Sequence, residues 1–217
     1  MKGLIIKDFI NLKKSLKMFL IISVFYFFMA INTDNPYFFT SMLTVLLAIT
    51  TVSLFAYDDM AKWDVFALTM PLDRRKIIQA RYLTMLLLTL SGAALSAVLT
   101  VIISLYLKND LSAEEFINIG YGSSAIIVIL STIIPFVIKM GVERARLIFV
   151  VLYILPFMLI IMVKKMLDKQ ELAFPDWLKN LTGYVMKNLY IILPLAVLLV
   201  LLVSYSISVS IYKKKDL

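Results

Sequence analysis

The chain has 217 residues, 62% of them hydrophobic, with mean hydropathy +0.94 and a formal net charge of +8. A soluble core of this length cannot hide that much apolar surface, so composition excludes an ordinary soluble domain and points to a bilayer. The sequence contains no cysteine and no histidine, which excludes disulfides, thiolate chemistry and the commonest general base and metal ligand. The basic residues sit at the ends of apolar runs, so topology explains the charge without nucleic acid.

In chain order, residues 1–17 predict a basic amphipathic helix in a headgroup layer. Leu4, Ile5, Phe9, Leu12 and Leu16 recur near helical spacing, with Lys2, Lys7, Asp8, Asn11 and Lys14 elsewhere. This segment does not read as a cleavable signal peptide, because no small-residue cleavage site follows. Apolar runs then predict six transmembrane helices, at 18–31, 37–57, 82–107, 116–138, 147–163 and 189–212. The whole chain reads as one all-α membrane domain. Pro135, Pro156 and Pro194 fall within runs and should bend them. In the third run Gly92, Ser96, Thr100 and Ser104 stand four apart, a small-residue face suited to close helix packing. In the second, Thr40, Thr44 and Thr51 share a face that would either pack or line a path. The loop 164–188 predicts a short amphipathic helix after Pro175, with Trp177, Leu178, Leu181 and Tyr184 on one side.

Between the second and third runs lies a charged island, residues 57–81, reading YDDMAKWDVFALTMPLDRRKIIQAR. Acidic residues come first, then a helical stretch with Trp63 and Phe66, then Pro71 and a basic cluster. A plain linker does not need that order, whereas a surface that docks on a soluble partner does. Trp63 and Phe66, three apart, share a helix face, as do Met60 and Asp64 on another. Arg74, Arg75, Lys76 and Arg81 then suit contact with inner-leaflet phosphates.

Sixteen Lys and Arg residues fall on the side carrying both termini and this island, against six on the other, so both termini are expected in the cytoplasm. No ionisable residue lies within an assigned run, as most ion-coupled carriers require. No G-x-x-x-x-G-K-[ST] phosphate loop and no H-E-x-x-H pair is present, so no catalytic or metal residue is assigned. If the chain moves cargo uphill, energy must arrive through another protein.

Asp58, Asp59, Trp63, Leu68, Pro71, Arg74, Arg81 and Tyr82 form the pattern D-D-x-x-x-W-x-x-x-x-L-x-x-P-x-x-R-x-x-x-x-x-x-R-Y. With six runs and an amphipathic N-terminus, this resembles the ABC-2 type permease family, and within it the compact permeases of phenol-soluble-modulin exporters and of bacitracin-type resistance. The resemblance implies a coupling helix over 58–70 that sits in a cleft of a separate ATPase subunit, with Asp58, Asp59, Met60, Lys62, Trp63, Asp64, Phe66 and Leu68 as the docking set. That subunit would bind ATP and Mg, and this chain no cofactor. It also implies a second permease chain, as homodimer or heterodimer, and a path lined by the second and fifth spans, where Thr40, Thr44 and Thr51 are the named candidates. The expected function is ATP-driven export of amphipathic peptides or similar cargo across a bacterial cytoplasmic membrane. The alternative is a membrane immunity or scaffold protein that binds a toxin or signalling partner without pumping.

Overall fold

The computed structural model describes residues 2–13, 16–33, 36–69, 73–108, 111–145 and 188–214, with positions 147, 148, 151, 154, 158 and 161; the side chains of 16, 17, 36–40 and 68 are not among those described. The expected helix at 164–188, most of the fifth run, Pro71 and the Thr40 and Leu68 side chains lie outside these residues. Every regular element among them is helical: α1 (Lys2–Lys13), α2 (Leu16–Ile31), α3 (Pro36–Met60), α4 (Trp63–Thr69), α5 (Arg74–Leu107), α6 (Ala113–Met140) and α7 (Leu189–Lys213). Four of them, α3, α5, α6 and α7, contain stretches long and apolar enough to cross a membrane. A fifth joins this set if α1 and α2, bent by 65° at their break, count as one span. By itself α2 has 16 residues, about 24 Å of helix against ~30 Å of hydrocarbon.

The α5 helix is the axis of the bundle. It begins at Arg74 rather than at Tyr82, because Asp73 caps it and accepts the Arg75 N–H at 3.0 Å. The expected basic loop is therefore the first turn of a 34-residue helix. α3 packs antiparallel along α5. Gly92 makes the approach possible, since a Cβ there would lie 2.9 Å from the Thr44 Cα. One turn on, the Thr44 and Ser96 hydroxyls meet at 2.9 Å, and Ser96, Thr100 and Ser104 are buried. The small-residue stripe read from the sequence is thus the α3–α5 seam.

α6 and α7 pack in parallel: Ser131 meets Ser204, and further along Ile138 and Tyr212 wall the same small cavity. Proline explains the first contact. Pro135 has no N–H, so the Ser131 carbonyl four residues earlier loses its helical donor, and the Ser204 hydroxyl donates to it instead. Tyr82 of α5 joins them, its hydroxyl 2.6 Å from Ser204 Oγ and 2.8 Å from Ser208 Oγ. One proton order satisfies the cluster: Ser208 donates to Tyr82, Tyr82 to Ser204, and Ser204 to the carbonyl.

Gly92→Leu is expected to push α3 from α5 and cost ~1–3 kcal/mol, read as a lower melting midpoint of the detergent-solubilised chain. Gly120→Leu, where nothing lies within 4 Å of an added Cβ, should change little.

Candidate functional site: the joint between α1, α3, α4 and α5

At the end of the bundle where α3 stops, the chain leaves the helix through Lys62, whose φ of 49° lies in the left-handed region. Ala61 and Lys62 still donate back to Tyr57 and Asp59 at 3.0 and 3.2 Å. The expected single helix over 58–70 is therefore two pieces: Asp58, Asp59 and Met60 finish α3, and α4 starts afresh at Trp63.

Beneath this break sits a buried charge cluster. Asp8 of α1 is 1% exposed and accepts from Arg81 Nη1 at 3.1 Å and from the Thr84 hydroxyl at 3.0 Å. Asp58, also buried, pairs with Arg81 Nη2 and accepts from Lys7 Nζ at 2.8 Å. Lys7 lies 3.2 Å from Asp8. Two cations and two carboxylates balance, as burial in low dielectric demands. The cations also lie over aromatic rings: Lys7 Nζ is 4.1 Å from the Trp63 ring centre, and Arg81 Cζ is 4.9 Å from that of Phe55. Burial lowers the Lys7 amine from its ordinary 10.5 to about 8; the neighbouring Arg81 charge adds to this and Asp8 opposes it.

α4 is held on further sides. The Tyr212 hydroxyl at the end of α7 donates to Asp64 Oδ1 at 3.3 Å. Gly141, at φ 80°, turns the chain out of α6 so that the Val142 N–H donates to Asp59 at 3.1 Å. Arg74 reaches the same end of α7, donating to the Lys213 carbonyl at 2.6 Å.

The residues expected to dock a partner therefore divide. Asp58 is buried and ion-paired, while Trp63 and Asp64 are half-buried and bound within the chain. The indole N–H of Trp63 has no acceptor among the described residues; Lys7 and the Phe66 ring, 5.5 Å away, fix its position instead. Met60, Lys62 and Phe66 face outward, Met60 83% and Phe66 54% exposed, and Val65, absent from the expected set, joins them at 53%. Of the expected phosphate-binding residues, Arg75 and Lys76 are exposed. Arg81 is a correction: its guanidinium is buried against two carboxylates. Arg74 is committed to the end of α7. Thr44 and Thr51 are both buried at 2% exposure in the single chain, Thr44 on Ser96 and Thr51 without a hydrogen-bond partner among the described residues.

Sequence reasoning missed Asp8, and with it the role of Lys7. The signal was present: Asp8 lies four residues from both Leu4 and Leu12, the buried face of α1. Amphipathic spacing sets it on the polar side, whereas the structure buries it against Arg81 and Thr84.

Long apolar helices with ionic groups gathered at one end of the bundle define a multi-pass helical membrane protein. The sequence profile described as ABC-2 family transporter protein matches residues 3–213, and the chain belongs to that family. Membership makes it a membrane subunit of an ABC transporter and implies an ATPase partner. No curated protein and no solved structure matches the chain.

Asp8→Ala should destabilise the chain by ~3–5 kcal/mol, because Arg81 loses one of its buried partners. Arg81→Met combined with Asp8→Ala should cost less than the sum of the single changes, measured as a double-mutant cycle on thermal unfolding in detergent. Additive losses would show that the two side chains do not act as a pair.

Proposed function

We propose that the chain is the permease subunit of an ATP-driven exporter that moves amphipathic or hydrophobic cargo, short peptides foremost, out of a bacterial cell. The observation that carries this reading is the two-sided character of the α3–α4 corner. Its inner side is fastened to α1, α5 and α7, while Met60, Val65 and Phe66 are turned outward with nothing of this chain over them among the described residues. Apolar side chains displayed on a tethered helix suit a pocket on a soluble ATPase. The ATP and Mg would belong to that subunit, and this chain would contribute no catalytic group.

The surplus of Lys and Arg at this end supports its placement in the cytoplasm, with both termini there. A sixth span is part of this reading: α6 and α7 both end at the joint, and 147–163 is an apolar run in the sequence between them. α1, with Ile6, Phe9 and Ile10 exposed, would lie in the inner headgroup layer.

In this mechanism two permease chains pair, either as identical or as related copies, and each seats its α3–α4 corner in one ATPase subunit. ATP closure presses on α4. The load passes to α1 through Lys7 and Trp63, to α5 through Asp58 and Arg81, and to α7 through Asp64 and Tyr212, so helices tilt as rigid bodies. A path without fixed charge suits amphipathic peptides or lipid-like antibiotics, which keeps the kinship with compact peptide exporters and links the chain to antimicrobial resistance. The family match favours this over an immunity or scaffold role.

Co-purification with a candidate ABC-type ATPase subunit, followed by ATP turnover with and without amphipathic peptides, tests the proposal. Phe66→Ala should weaken association on the order of tenfold or more while lowering the melting midpoint far less than Trp63→Ala. Trp63→Ala should lower both. Undiminished association of the Phe66 variant would sink the docking assignment.

A further inference from the structure

Between α6 and α7 a groove of about 420 Å³ opens on the surface of the bundle. Leu199, Val203 and Ile207 form one wall at four-residue steps, and each is about half exposed or more. Pro135 and Phe136 form the other. Lys139, one turn beyond Pro135, is the charged side chain among the lining residues, and no acidic residue stands with them. Beyond this end the exposed Arg144, Lys213 and Lys214 outnumber the acids Glu143 and Asp59.

We infer that this groove holds an anionic phospholipid, with an acyl chain along Leu199 to Ile207 and the phosphate at Lys139. The dimensions fit. The wall spans nine residues of helix, about 12 Å from first to last, close to the ~15 Å that one leaflet contributes to the hydrocarbon. A slot that ends in a basic cluster at headgroup depth is the arrangement that selects an acidic lipid over a zwitterionic one. Ser204 does not compete for the headgroup, because its hydroxyl is committed to the Ser131 carbonyl. The inference depends on this end of the bundle lying at a headgroup layer. It does not depend on ATP coupling or export.

The test uses the full chain, stripped of lipid in detergent and offered phosphatidylglycerol or phosphatidylcholine, with retained lipid counted by native mass spectrometry. Wild type should retain phosphatidylglycerol about fivefold over phosphatidylcholine. Lys139→Gln should lose that preference, and Val203→Trp, which fills the slot, should lose retention of both lipids. Lys108→Gln, an exposed cation at the far end of α5, should behave as wild type. Equal retention of the two lipids by wild type would overturn the inference, as would a Lys139→Gln chain that keeps its preference. A Val203→Trp chain that keeps its lipid but no longer dimerises would also overturn it, assigning the groove to a second copy. Lys139 is exposed, so its variant tests the headgroup even if the tryptophan variant fails to fold.

Discussion

The buried pair of Asp8 and Arg81 is the constraint on which the joint depends. Neither group can be left alone at that depth, since an unpaired charge in a low-dielectric interior costs far more than the pair contributes. The pair therefore acts less as a source of stability than as a registration device. α1 can sit in the one position where Asp8 meets both Arg81 and Thr84, and Asp58 must then supply the second carboxylate. Lys7 completes the neutral set and lies over Trp63, so the placement of α4 follows from that of α1. Four helical segments are fixed by a single electrostatic requirement.

The same logic of obligatory partners runs along α5. Near the joint it offers Arg81 to α1 and α3. One residue later it offers Tyr82 to the serines of α7, which in turn satisfy the carbonyl freed by Pro135. Farther along, it offers the absence of a side chain at Gly92, and α3 closes on the gap. Each contact uses a different physical term: charge, hydroxyl hydrogen bonding, then bare van der Waals approach. In lipid, where burial of apolar surface does not drive helices together, such local terms decide which helices associate.

Much of this architecture was legible in the sequence because the bilayer imposes simple rules on length and hydropathy. The long apolar runs became α3, α5, α6 and α7, and the four-residue stripe from Gly92 to Ser104 became a helix seam. The charged island was recognisable as a special segment, but its internal division was not. A helix break at Lys62 leaves no glycine or proline to mark it, and a left-handed lysine is a tertiary outcome. The three-residue spacing sets Trp63 and Phe66 on one face, and only the direction from which Lys7 arrives decides which of the two is held and which is left exposed. Asp8 was misplaced for a related reason. Amphipathic reading assigns an acid to water by default, and only a basic partner 73 residues away reverses that assignment.

The length of α5 has a mechanical consequence. At 34 residues it is a rod of about 51 Å, well beyond the ~30 Å of hydrocarbon it crosses. No proline interrupts it, and its Ser91–Gly92 pair, where a helix could kink, is packed against α3. Pivoting about its midpoint by ~10° carries its two ends ~4 Å in opposite directions. A push applied beside Arg81 would thus emerge, reversed in direction, at Lys108 at the other end. A rod of this length can act as a seesaw, carrying displacement from end to end without any group having to move along it.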